Sequence, residues 1–150
     1  MISRIGFSLW AIVGLPLAAH ADHCTVPNSI VKVTNSRSGP WEVVDFYVKA
    51  PMTASTSVTA PTGPTFTEDA SGNPITVPGN RWTQVTFNSV DWMCSTSSLF
   101  SLPKPIVKSI KQTGRFEGTV SYVIGRKGHH FMGSSWATIG GLKRLRLKYF

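Results

Sequence analysis

The chain has 150 residues, with 15 lysines and arginines against seven acids and a formal charge of +8 at neutral pH. That length supports one domain with a real core and excludes a two-domain assembly. Seven scattered acids and the absence of GxSxG, HExxH and phosphate-loop patterns exclude the common hydrolase and nucleotide-binding signatures.

The first residues read as an export signal. Met1 to Arg4 supply positive charge, residues 5–17 form a short apolar run, and Ala19-His20-Ala21 gives a small-x-small cleavage site. Cleavage after Ala21 makes residues 1–21 a signal peptide and residues 22–150 the mature, secreted or periplasmic domain. The apolar run is shorter than the roughly 20 residues that span a bilayer, so no transmembrane span is expected in the mature chain. Cys24 and Cys94 are the two cysteines. In an oxidising compartment their default is one structural disulfide. A loop of that size contributes about 4 kcal/mol through the unfolded state.

Charge is unevenly placed. Residues 22–94 carry four basic and six acidic side chains, whereas residues 95–150 carry ten basic and one acidic. The basic C-terminal half either faces something anionic, such as an envelope polymer, lipid head groups or extracellular nucleic acid, or merely keeps the domain soluble.

In chain order, residues 29–34 (SIVKVT) read as a short strand and residues 35–40 (NSRSGP) as a turn. Residues 41–48 (WEVVDFYV) have apolar side chains on both faces, which predicts a central strand covered on each side. Residues 50–80 are rich in proline, threonine, serine and glycine. A structureless loop of that length is unusual, so short edge strands are expected near residues 57–59, 65–67 and 75–77, with the last two joined by a turn over residues 69–74. Residues 81–90 alternate, with Thr83, Val85 and Phe87 on one face and Trp82, Gln84 and Thr86 on the other.

Residues 91–103 read as a connector carrying Leu99 and Phe100, and a turn is expected at Thr113 and Gly114. The following run places Phe116, Val120, Tyr122 and Ile124 on one face, predicted as core, with Gly118 marking a bulge or a close backbone approach. Residues 125–128 (GRKG) form a basic turn, residues 131–139 are ambiguous, and the last run alternates Leu145, Leu147 and Tyr149 with Arg144, Arg146 and Lys148. No segment has a sustained helical period. The whole predicts an all-β fold, a single β-sandwich of short, mostly antiparallel strands. A membrane barrel is disfavoured because Arg144, Arg146 and Lys148 share a face with the terminal Phe150.

His129 and His130 are adjacent, and on a strand they point to opposite faces, so a shared metal is not expected. With no cofactor motif either, the chain reads as a non-enzyme. Arg144, Arg146 and Lys148 would stand in a row about 7 Å apart, suited to tracking a polyanion or to protecting a terminal edge strand. Arg115, Arg126 and Lys127 flank the preceding strand and extend the basic set. Glu117, the one acid after Cys94, is expected to pair with Arg115 or a neighbouring cation. Of Trp41, Trp82, Trp92 and Trp136, Trp82 shares a face with polar residues and is the one expected to be exposed for stacking on a sugar ring.

Three segments together resemble the AMIN-like domains of exported bacterial proteins. Residues 109–127 contain Gly114, Phe116, Glu117, Gly118, Ile124 and Gly125, similar to that family's Gly-x-Phe-Glu-Gly hairpin with a glycine after an aliphatic run. Residues 69–87 are similar to its turn and alternating strand. Residues 38–48 are similar to its early strand, with Trp41-Glu42 where Asp-Arg is usual. The resemblance implies a β-sandwich acting as a non-catalytic binding or localisation module of the cell envelope, with an anionic envelope polymer such as peptidoglycan as partner and no specific nucleic acid. The alternative is a secreted interaction protein or effector with a protein partner on a host or competitor surface.

Overall fold

The computed structural model describes residues 27–49, 56–91, 99–100 and 104–150. The expected signal peptide, the Cys24–Cys94 disulfide and Trp92 lie outside the described residues. The described residues form β1 (Ile30–Ser38), β2 (Trp41–Lys49), β3 (Thr56–Thr59), β4 (Thr65–Thr67), β5 (Pro74–Thr76), β6 (Arg81–Phe87), β7 (Leu99–Phe100), β8 (Val107–Phe116), β9 (Thr119–Arg126), β10 (Phe131–Ile139) and β11 (Leu142–Tyr149). No helix occurs among them.

The strands make two antiparallel sheets, one ordered β1-β2-β11-β10 and the other β3-β6-β9-β8-β7, with β4 and β5 forming a separate hairpin. Alternate residues of each sheet turn inward. Val44, Phe46, Val48, Leu145, Leu147 and Tyr149 of the first sheet meet Val85, Phe87, Ile110, Val120, Tyr122 and Ile124 of the second in one buried cluster. Phe46 is its centre, with ring centroids 5.3 Å from Phe87 and 5.1 Å from Tyr122. Each such fully buried side chain is worth about 1.5–3 kcal/mol relative to exposure. This is the expected β-sandwich.

A buried carboxylate also joins the sheets. Glu42, only 2% exposed, sits near the start of β2. It accepts the backbone N–H groups of Ile106 at 2.9 Å and Val107 at 3.1 Å, where β8 begins, and the Asn35 side-chain amide at 3.2 Å. Residues entering a strand have backbone donors without ladder partners, and an ionised acceptor supplies the strongest kind of replacement.

Several expected boundaries hold and others move. β2 is central, as its two apolar faces require, with β1 on one side and β11 on the other. β3, β4 and β5 fall where short strands are expected, and the turn from Glu68 to Asn73 joins the last two, closed by the Glu68 N–H to Asn73 carbonyl bond at 2.9 Å. β1 does not stop at Thr34. It pairs with β2 as far as Ser38 opposite Trp41, which leaves only Gly39 and Pro40 as the turn.

The β8–β9 hairpin turns at Glu117 and Gly118, not at Thr113 and Gly114. Both turn residues have positive φ, 45° and 77°, as a two-residue hairpin of type I′ requires. Phe116 is thereby placed beside the turn and is 50% exposed, so it is not core. Gly114 lies inside β8 at a register shift, where a Cβ would collide with the Asp69 carboxylate.

The outer face of the second sheet is covered by residues 61–79, which contain the β4–β5 hairpin. Ser109 donates its hydroxyl to the Pro78 carbonyl at 3.0 Å, and Lys111 donates to the Thr76 carbonyl at 2.8 Å. Val77 is fully buried beneath them. Gly125 is needed for this contact, because a Cβ there would run into the Pro78 carbonyl oxygen. Cover on this side explains why every residue of β9 from Val120 to Arg126 is buried.

Candidate functional site: the outer face of the first sheet

The two sheets end up with different outer faces, one lying under residues 61–79 and the other bearing the basic residues of β11. On β11, Leu145, Leu147 and Tyr149 are in the core, so Arg144, Arg146 and Lys148 project outward. Their register places them in rows with neighbours on adjacent strands. Lys32, Tyr47, Arg144 and Ala137 form one row, Thr34, Asp45, Arg146 and Ser135 the next, and Ser36, Val43, Lys148 and Gly133 a third. Rows two residues apart are about 7 Å apart, so Arg144 and Lys148 stand roughly 14 Å apart along the strand.

The three cations are not equivalent. Arg146 donates Nε to Asp45 Oδ1 at 2.8 Å and Nη2 to Oδ2 at 2.7 Å, and the Asp45 side chain is 2% exposed. The hydrogen-bonded carboxylate holds the Arg146 guanidinium above its already high ordinary pKa, outweighing partial burial. A bidentate pair of this kind consumes the charge locally. Arg146 is therefore a structural cation, and the free basic character of the face comes from half-buried Arg144 and from exposed Lys148 and Lys32. Lys32 lies over the ring of Tyr47 with Nζ 5.7 Å from its centroid. At the end of the face Trp41 packs against Phe150, ring centroids 5.2 Å apart, and Phe150 is 55% exposed.

β11 is an interior strand, paired with β2 and β10, so its cations do not protect a sheet edge. The rest of the expected basic set disperses. Arg126 is a core-side residue of β9, 7% exposed, with its guanidinium 5.9 Å from the Tyr149 ring centroid. Burial lowers its pKa from the ordinary arginine value, and that effect outweighs the opposing pull of Tyr149. Lys127 is exposed in the turn after β9, whereas Arg115 belongs to the far end of the β8–β9 hairpin, in the other sheet. Neither adds to the rows on β11.

Trp82 is not the exposed indole expected. It is half-buried, a Cβ on Gly63 would lie 2.6 Å from its indole, and Phe66 packs on it edge-on at 6.3 Å. Its Nε1–H donates to the Val77 carbonyl at 2.9 Å. The indole thus anchors residues 61–79 to the sheet.

His129 and His130 are exposed beside the start of β10, and His130 exchanges backbone hydrogen bonds with Phe150 at 3.0 and 3.1 Å. Glu117 occupies the opposite end of β9, about 24 Å away by strand rise, so these three side chains do not share a site. Among the described residues, no three His, Cys, Asp or Glu side chains group in a way that could hold a metal ion. No helix among them is long and apolar enough to cross a membrane.

The strand patterns placed Phe150 in step with Arg144, Arg146 and Lys148 but gave no sign of Lys32, Trp41 and Tyr47 as members of the β11 face. Alternation within each strand was visible, but only the β1-β2-β11 pairing brings these residues together. The chain matches no model of a known protein family, and no curated protein matches it.

Proposed function

We propose that the mature chain is an exported, non-catalytic module that binds an anionic polymer of the cell envelope, peptidoglycan being the leading candidate. The observation that carries this reading is the outer face of the first sheet, where Lys32, Arg144 and Lys148 are interspersed with Trp41, Tyr47 and Phe150. Cations in rows attract a line of carboxylates or phosphates, and aromatic rings give sugar rings an apolar surface to lie on. The AMIN-like resemblance of residues 109–127 supports the same reading, and the export signal supplies the compartment. Reversing Arg144 and Lys148 to glutamate, with Arg146 left in its pair, is expected to abolish co-sedimentation with purified cell walls at low salt. Co-sedimentation unchanged by that reversal would overturn the reading.

A second reading, a secreted interaction protein with a protein partner, is favoured by a different observation: the uncharged, exposed edge strand β10.

A further inference from the structure

Among the described residues, β10 is the long edge strand without charge, proline or cover. Among the described residues it pairs only with β11, and its nine residues include no charge and no proline. Met132, Trp136 and Ile139 along it are 53%, 45% and 44% exposed. The opposite edge of the same sheet, β1, carries Lys32 and Arg37, while the edges of the other sheet, β3 and β7, span four and two residues. Natural sheets guard their edges with charge, proline, brevity or cover. β1, β3 and β7 follow that rule, whereas β10, beyond a register irregularity between Phe131 and Gly133 at its start, does not.

We infer that β10 receives an added strand, and that the strand is an extended segment of a partner protein with acidic and apolar residues in alternation. This rests on the second reading above and adds to it the edge that binds and the chemistry of the segment bound. Register sets which charges an added strand would meet. On the outer face, Arg144 of β11 stands beside Ala137 and Lys148 beside Gly133. Both β10 neighbours are too short to screen the cations from the next strand position, about 10 Å from β11. Lysine and arginine side chains span most of that distance, so acidic residues on the outer face of an added strand would meet them. On the inner face Trp136, opposite Leu145, leaves its exposed indole for an apolar residue of the same strand. A second copy of this chain fits poorly: its own β10 has no acid to offer and would bring another basic row toward the first. Main-chain hydrogen bonds would supply the affinity and the alternating side chains the selectivity.

The test uses the full mature chain and three synthetic peptides. One alternates glutamate with valine, one alternates lysine with valine, and one is the glutamate peptide N-methylated at every second residue. N-methylation keeps the charge but removes the donors that strand pairing needs. The expected result is binding of the glutamate peptide, with new amide-exchange protection on β10. The other two peptides, and Trp136→Ser with the glutamate peptide, should bind at least about tenfold more weakly, a difference of about 1.4 kcal/mol. Equal binding of the N-methylated peptide would overturn strand addition while leaving polyanion binding by the face intact. Self-association of the chain that disappears in Trp136→Ser would overturn the choice of partner in favour of a second copy.

Discussion

Arg146 on β11 grips Asp45 on β2 through two hydrogen bonds, at 2.8 and 2.7 Å, across the outer face of the first sheet. The pair lies in the middle of the basic row, and among the described residues Arg146 is the member of that row with an acidic partner at salt-bridge distance. Truncating Arg146 to methionine leaves a buried carboxylate without its cation. The expected loss is about 2 kcal/mol, less than for a fully buried pair because Arg146 retains 20% side-chain exposure. Urea denaturation should show this loss, with the double change Arg146→Met, Asp45→Leu recovering most of it.

Glu42 predicts a larger effect. Glu42→Ala strips the Ile106 and Val107 backbone donors of their acceptor inside the sandwich. Each orphaned donor costs about 1–3 kcal/mol, so a loss of roughly 3 kcal/mol or more is expected in chemical denaturation. Glu42→Gln keeps an acceptor oxygen and should fall between the two.

The hairpin turn offers a test in both directions. Glu117 holds a φ of 45° that favours asparagine or glycine, and Gly118 holds 77°. Glu117→Asn should stabilise the domain by a few tenths of a kcal/mol, and Gly118→Ala should destabilise it by about 1–2 kcal/mol. Thermal melts of the two variants should move to opposite sides of the parent.

Alkaline pH should unfold the domain through its buried phenols. Burial pushes Tyr149 and Tyr122 well above the ordinary tyrosine range, against smaller opposing pulls from Thr83 and Arg126 on the former and Arg115 on the latter. The sign follows from the raised folded-state values. The contribution is fully present below the unfolded tyrosine pKa of about 10 and is lost as pH climbs above it, because only the unfolded chain ionises there. Tyrosinate absorbance and loss of β-sheet signal should therefore rise together above pH ~10, and Tyr149→Phe should shift the transition upward.

Much of the fold was legible from single strands. The two apolar faces of residues 41–48 required a central position, and β2 has one; the alternation of Leu145, Leu147 and Tyr149 set the inward face of β11. Glycine was harder to read, because one residue type serves two needs. Gly114 permits the close approach of Asp69 within a strand, whereas Gly118 supplies a left-handed turn, and the sequence alone suggested the reverse. Trp82 was misplaced for a related reason: its polar neighbours in β6 signalled solvent, yet residues 61–79 fold back over that face. The candidate site was legible only as the row on β11. The pairing that adds Lys32 and Tyr47, and the carboxylate that takes Arg146 out of play, are long-range contacts that strand periodicity does not encode.

The central claim is that the outer face of the first sheet binds an anionic envelope polymer through Arg144 and Lys148. Its most direct test is co-sedimentation of the folded mature chain with purified cell walls over a series of salt concentrations, for the parent and for the Arg144→Glu, Lys148→Glu double variant. The account predicts retention at low salt that falls as salt rises, with the double variant released throughout. No retention of the parent at low salt, or equal retention of the variant, would contradict it.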